Sequence, residues 1–341
     1  IVTVVTMKLL GLLLGAFCVG FLRRDRRGAA GDTSSGVSRS VAPLPVNGLE
    51  CDAVGGEPRH LVVLVHGLSG TAEDLAYLGG LLEVHPSILS HRTRANEGRT
   101  RDGVVAGAAR VEREVRTLVA AHPSLSTISF VGNSLGGIYV REVVARLLDS
   151  PSVEESTLGA RPAPRTLAGL TPAALLTIAT PHLGVRSFTY VQLPSVLRRA
   201  VSDLLAGQSG RDLFLEDAEQ SRPLLWRMAT SRRYLDALRS FQVRRAYGAA
   251  AGDFMVPFST ALFNLTAAGE TGGGWGILDD YRIRDWQKPS EGETVLWQVE
   301  VPQASTSAGE DSPSFPRSAD EVESVMAQML DSVGWTKVAV K

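Results

Sequence analysis

Residues 126–149 read Ser126-Thr-Ile-Ser-Phe-Val-Gly-Asn-Ser134-Leu-Gly-Gly-Ile-Tyr-Val-Arg-Glu-Val-Val-Ala-Arg-Leu-Leu-Asp149. The spacing predicts a short buried strand from Thr127 to Val131, a sharp turn, and a helix with Val140, Val143, Val144 and Leu147 on its apolar side. Ser134 stands at the turn inside Gly132-Asn133-Ser134-Leu135-Gly136, a G-x-S-x-G pattern. A side chain held on so tight a strand-to-helix turn needs neighbours without bulk two residues away on each side. Gly132 and Gly136 meet that need, and the hydroxyl then projects above a helix N-terminus whose N–H groups suit a developing negative charge.

Working outward, the same alternation of elements recurs. His60-Leu-Val-Val-Leu-Val-His66 predicts a buried strand ending at His66-Gly67-Leu68-Ser69-Gly70, followed by a helix over 71–83. Residues 104–119 predict another helix, with Val104, Ala108, Val111, Val115 and Leu118 on one face. After a Pro/Ala-rich loop over 151–172, Ala173 to Ile178 predicts a strand that ends at Thr180-Pro181-His182-Leu183-Gly184. Residues 190–241 read as helical inserts, with an apolar stripe running from Leu193 to Leu205. A weaker strand from Arg245 leads to Asp253. Ser318-Ala-Asp-Glu321 opens a further helix as a capping box, and Trp335 to Val340 predicts a last strand. Strands and helices alternating at these lengths imply an α/β domain with a mostly parallel sheet covered on both faces.

The 341 residues carry a net charge of −1, with 21% charged and 44% hydrophobic residues. That balance makes no electrostatic case for a nucleic-acid partner, so none is expected, and it suits one large domain with tails. Two cysteines, Cys18 and Cys51, cannot build a disulfide framework, and the six histidines show no metal-ligand spacing, so no cofactor is expected.

Three segments follow from composition. Residues 1–27 join a continuous apolar run over 9–22 to Arg23, Arg24, Arg26 and Arg27, the pattern of a membrane anchor or targeting leader. Residues 28–57 read as a flexible linker, and 58–341 as the folded domain. The expected location is therefore at a membrane, or wherever the leader directs the chain.

A serine nucleophile needs a base, an acid that orients the base, and N–H donors for the oxyanion. Leu135 N–H follows Ser134, and Leu68 N–H, with Gly67 beside it, lies at the same sheet edge. Asp253 in Gly252-Asp-Phe-Met-Val-Pro257 is the acid candidate; a turn aspartate is the plainer alternative. His66 is read as a turn former. His182, at the end of a neighbouring strand, is a base candidate of lower rank than a histidine placed late in the chain, and it equally suits a pocket wall.

Several separate motifs carry a resemblance to a known family. They are Leu61-Val-Val-Leu-Val-His-Gly-Leu-Ser-Gly70, Ala95-Asn-Glu97 with Thr100-Arg-Asp-Gly103, Phe130-Val-Gly-Asn-Ser-Leu-Gly-Gly137, Ala179-Thr-Pro-His-Leu-Gly184, Asp212-Leu-Phe-Leu-Glu-Asp217 and Asp253-Phe-Met-Val-Pro-Phe-Ser-Thr-Ala261. Over residues 58–341 the chain resembles the putative serine esterase family, a lipase-like α/β-hydrolase group. The resemblance implies an α/β-hydrolase fold with a helical insert, Ser134 as nucleophile, Asp253 as triad acid, and lipid or other carboxylic esters as substrates. Asn133 departs from the histidine that many members carry there. The resemblance also implies a catalytic histidine shortly after the 335–340 strand, so the chain is expected to be incomplete at its C-terminal end. A catalytically inactive relative that binds lipid or a protein partner is the rival expectation.

Overall fold

The computed structural model describes residues 57–149, 165–187, 207–217, 222–249, 253, 255–265, 295–304, 313–316 and 318–340. The leader over 1–27, all of the linker but Glu57, and the apolar stripe from Leu193 to Leu205 lie outside the described residues. Among the described residues no helix is long and apolar enough to cross a membrane.

Seven strands form one sheet. They are β1 (His60–Val65), β2 (Ile88–Arg92), β3 (Thr127–Asn133), β4 (Thr171–Ile178), β5 (Val243–Ala249), β6 (Val295–Val301) and β7 (Trp335–Val340), in the spatial order β2-β1-β3-β4-β5-β7-β6. All neighbours run parallel except β6, which pairs antiparallel with β7 at the edge. The named helices are α1 (Ala76–Glu83), α2 (Val104–Ala121), α3 (Leu135–Leu147), α4 (Leu224–Thr230), α5 (Arg232–Arg239), α6 (Phe258–Ala261) and α7 (Ala319–Asp331). A 3₁₀ turn, Ala72–Leu75, precedes α1, so the helix expected over 71–83 forms as two pieces. This is the α/β-hydrolase arrangement.

β1 explains the two-faced burial. Leu61, Val63 and Val65 pack into the larger core, while Val62 and Leu64 join Leu75 and Val131 in a second cluster. Successive side chains of a strand point to opposite faces, so an unbroken apolar run is what a sheet buried on both sides requires. α2 buries Val104, Ala108, Val111 and Val115, the stripe read from its period. Ser318 Oγ accepts from Glu321 N–H at 3.2 Å and so caps α7, which buries Val322, Met326 and Leu330.

Two strands escaped the sequence reading. β2 is short and only half-buried along its length, and β6 lies at the opposite edge of the sheet. β4 begins at Thr171, inside the stretch expected to be loop, and β5 begins at Val243 and ends at Ala249.

Candidate active site

The register of the central strands brings the candidate residues to one edge. Val65 pairs with Gly132, and Asn133 with Ile178, so β1, β3 and β4 end nearly in step. The ladder runs into the turn: Ser134 N–H donates to the Ile178 carbonyl at 2.8 Å, and Ala179 N–H donates to the Tyr247 carbonyl at 2.8 Å. Ser134 itself has φ 52° and ψ −126°. A non-glycine residue there costs about 1–3 kcal/mol and persists only where its surroundings leave no alternative.

The glycines provide those surroundings. A Cβ on Gly136 would lie 2.1 Å from the Val65 carbonyl oxygen, and one on Gly132 would lie 2.4 Å from Gly137 Cα. A Cβ on Gly137 would meet Thr180 Oγ1 at 2.0 Å. α3 therefore lies directly against the ends of β1 and β4. Gly67 faces the serine: a Cβ on it would lie 2.8 Å from Ser134 Cβ and 3.3 Å from Ser134 Oγ. Leu68 and Leu135 N–H are bonded to no other described residue. They flank the serine as the turn after β1 and the first residue of α3.

A scaffold that sequence reasoning did not resolve holds the turn after β1. Ser69, with φ 56°, donates its N–H to Thr100 Oγ1 at 2.8 Å. The Thr100 carbonyl accepts from Tyr139 Oη at 3.0 Å and Ser209 Oγ at 2.7 Å. Burial pushes the Tyr139 phenol up to about 12, which keeps it a neutral donor. Glu97 Oε1 accepts from Ala72 N–H at 2.9 Å, and Asn96 donates to the Gly107 carbonyl at 3.2 Å. Asp212 Oδ2 accepts from Val104 N–H at 2.6 Å, and Asp217 Oδ2 from Leu224 N–H at 2.7 Å. Both carboxylates thus stand at helix N-termini, where unpaired N–H groups and the helix dipole favour negative charge.

Asp253 follows β5, the strand next to β4. Its Oδ1 accepts from Met255 N–H at 3.0 Å and Val256 N–H at 2.9 Å, an Asx-type turn that fixes the carboxylate.

The histidines are accounted for one by one. His182 is fully buried; one ring nitrogen, Nε2, lies 3.0 Å from Thr177 Oγ1. Its ring meets those of Phe263 and Trp335 edge-on, at 5.2 Å and 5.7 Å between centroids. Burial first, then the charges of Arg141 and Lys337, hold its pKa well below the ordinary value. These contacts fit the pocket-wall role better than the base role. His66 is also buried, with Nδ1 3.1 Å from the Gly67 carbonyl oxygen. His60, His91 and His122 are engaged with Thr127, Glu114 and the Leu118 carbonyl respectively. His85 lies between α1 and β2, where the chain crosses to the N-terminal end of β2, away from Ser134. Among the described residues no group of His, Cys, Asp and Glu side chains could hold a metal ion.

Residues 56–268 match the family described as "Putative serine esterase (DUF676)". The chain belongs to that family. It is 30% identical over 212 residues to the "Putative lipase ROG1" of Saccharomyces cerevisiae, covering 60% of this chain and 28% of that one. It is 29% identical over 225 residues to the "Putative lipase C4A8.10" of Schizosaccharomyces pombe, covering 62% and 27%. The chain therefore spans under a third of the length of these curated relatives. Among solved structures, the mature Bacillus licheniformis lipase BlEst2 aligns over 64% of this chain and 76% of its own, at 16% identity and a TM-score of 0.33.

Proposed function

We propose that this chain is a serine hydrolase that cleaves carboxylic esters, lipid esters foremost, through an acyl-serine intermediate. Ser134 Oγ attacks the ester carbonyl carbon while its proton passes to a base. The oxyanion takes hydrogen bonds from Leu68 and Leu135 N–H, and the intermediate collapses as the alcohol leaves with that proton. Water then repeats the sequence on the acyl-serine and releases the acid. The observation that carries the reading is the left-handed Ser134 backbone at the β3–α3 turn, enclosed by Gly67, Gly132 and Gly136.

Asp253 is the acid that orients the base. That base is a histidine, the partner that a serine and an orienting carboxylate call for. β5 and β7 are parallel neighbours, with Ala249 opposite Val340, so β7 finishes at the same end of the sheet as the strand that precedes Asp253. The apolar leader with its arginine cluster, by composition, adds an ester presented at or near a membrane. A second reading, a hydrolase fold that binds an ester or a partner without turning it over, is favoured by the enclosure of His182 and His66.

A fluorophosphonate probe separates the two readings. The protein should be labelled at Ser134, and Ser134→Ala should abolish the label. Labelling at another serine, or none on folded protein, refutes the assignment.

A further inference from the structure

At the opposite end of the strands from Ser134, arginines converge where nothing in the esterase chemistry needs them. α5 presents Arg232, Asp236 and Arg239 at i, i+4 and i+7, one face of a helix. Arg165 joins them from the segment before β4. The single carboxylate of Asp236 takes all three guanidinium groups: Arg165 Nη1 at 3.2 Å, Arg232 Nε at 3.4 Å and Arg239 Nη1 at 3.2 Å. Among the described residues, one negative charge then stands against three positive. Arg239 Nη2 donates to Ser332 Oγ at 3.3 Å, while its buried Nε has no hydrogen-bond partner among the described residues.

These side chains line a cavity of about 430 Å³ that opens to solvent. Thr171, Ser240 and Gln242 also line it. Thr171 begins β4 and Gln242 immediately precedes β5, so the cavity sits beneath the N-terminal ends of two adjacent parallel strands. Guanidinium groups present paired N–H donors in a planar fork that matches the oxygens of a phosphoryl group.

We propose that this cavity is a second binding site, separate from Ser134, for a phosphomonoester or diphosphate group, held by Arg165, Arg232 and Arg239. The ligand inserts its oxygens among the three guanidinium groups and supplies the negative charge that Asp236 alone does not. A soluble phosphorylated compound and a phosphomonoester lipid headgroup share this chemistry.

The test uses the double variant Arg165→Gln/Arg232→Gln. Arg165 and Arg232 are 41% and 72% exposed and bind only Asp236 among the described residues, which keeps its contact with Arg239, so folding should survive. Arg113→Gln, on the exposed side of α2, removes one charge elsewhere. Thermal unfolding is followed with and without pyrophosphate at about 10 mM. Sedimentation is followed with phosphatidylcholine vesicles with and without phosphatidic acid.

Pyrophosphate should raise the unfolding temperature of the unsubstituted protein and of Arg113→Gln, with affinity about 10-fold or more weaker in the double variant. That outcome assigns a soluble ligand. Co-sedimentation that requires phosphatidic acid, is lost in the double variant and comes without a pyrophosphate response assigns a headgroup. No response to either probe, or an equal response in the double variant, overturns the proposal. So does an equal loss in Arg113→Gln.

Discussion

The substitution Gly136→Ala tests whether contact between α3 and the end of β1 sets the geometry of the serine. The added methyl would sit 2.1 Å from the Val65 carbonyl oxygen, 2.7 Å from that of His66 and 2.8 Å from Val65 C. Ordinary contact begins near 3.4 Å, so the helix and the strand end must part by about an ångström. All three obstacles are backbone, and no rotamer change can relieve them. Overpacking of this kind costs about 1–3 kcal/mol. For a domain of this size each kcal/mol moves the unfolding temperature by roughly 2–4 °C, so a fall of roughly 2–12 °C is expected. The chemistry should suffer more than the stability. The parting displaces Leu68 relative to Ser134, and an ångström of misplacement costs about 10²-fold in rate. Gly80→Ala is the control: nothing lies within 4 Å of its added methyl, and α1 should gain up to about 1 kcal/mol. Calorimetry and the rate of fluorophosphonate labelling read the two effects. Gly136→Ala unfolding within a degree of the parent and labelling at the parental rate would refute the reasoning. So would an equal loss in Gly80→Ala.

Asp253→Asn should separate fold from chemistry: the amide oxygen can still accept from Met255 and Val256 N–H, so the unfolding temperature should hold while kcat falls about 10³–10⁴-fold. Retained kcat would remove Asp253 from the site. Thr100→Val leaves Ser69 N–H without its acceptor and should lower kcat about 10-fold with KM little changed, measured on a short-chain ester; a change confined to KM would show that Thr100 does not position the Leu68 turn. Because His182 is held well below 6.5, the folded protein takes up this proton less readily than the unfolded chain. Its contribution is therefore intact above that value and is lost as pH falls through it, by up to about 1.4 kcal/mol per pH unit. Melting between pH 8 and 5.5 should show this slope, and His182→Gln should flatten it; an unchanged slope sinks the assignment. His60, lowered by burial, adds in the same direction.

The parts of the fold that the sequence made legible are those where one physical demand dominates. β1, β3 and β4 are apolar through their central stretches because they are central strands buried on both faces, and period and punctuation located them. The edges carry weaker signals. Ile88-Leu-Ser-His-Arg92 is half-buried throughout and mixes polar with apolar residues, so no period distinguishes it from loop. Val295-Leu-Trp-Gln-Val-Glu-Val301 did carry a signal, its β-branched and aromatic residues, but no neighbouring turn motif drew attention to it. Within α3 the apolar positions were read correctly, yet Arg141 and Glu142 are just as buried. Arg141 donates to the His182 carbonyl at 3.1 Å, and Glu142 accepts from Tyr234 Oη and Arg146 Nε, each at 2.7 Å. Those partners are 41, 92 and 4 residues away, and only the last lies within reach of helical spacing.

Backbone strain gathers at the end of the sheet where the proposed site lies. Six non-glycine residues among those described have positive φ, and three of them are Ser69 at 56°, Ser134 at 52° and Ala179 at 48°. They follow β1, β3 and β4, three adjacent parallel strands, at the same end of the sheet. Each such residue costs about 1–3 kcal/mol, and chance alone does not put three of them side by side. Each is also pinned by a bond to a neighbouring segment: Ser69 N–H to Thr100 Oγ1, Ser134 N–H to the Ile178 carbonyl, Ala179 N–H to the Tyr247 carbonyl. The core beneath supplies the rigidity that lets this strain persist, since Val65, Leu135 and Ile138 are essentially inaccessible to solvent. Relaxing the Ser69 turn would shift Leu68 N–H, and relaxing the Ser134 turn would shift the hydroxyl and Leu135 N–H; the Ala179 turn follows the Ile178 carbonyl that holds Ser134 N–H. The strain and the proposed chemistry therefore belong to one arrangement, in which the ends of β1 and β3 carry the hydroxyl and the two amides and the end of β4 braces them.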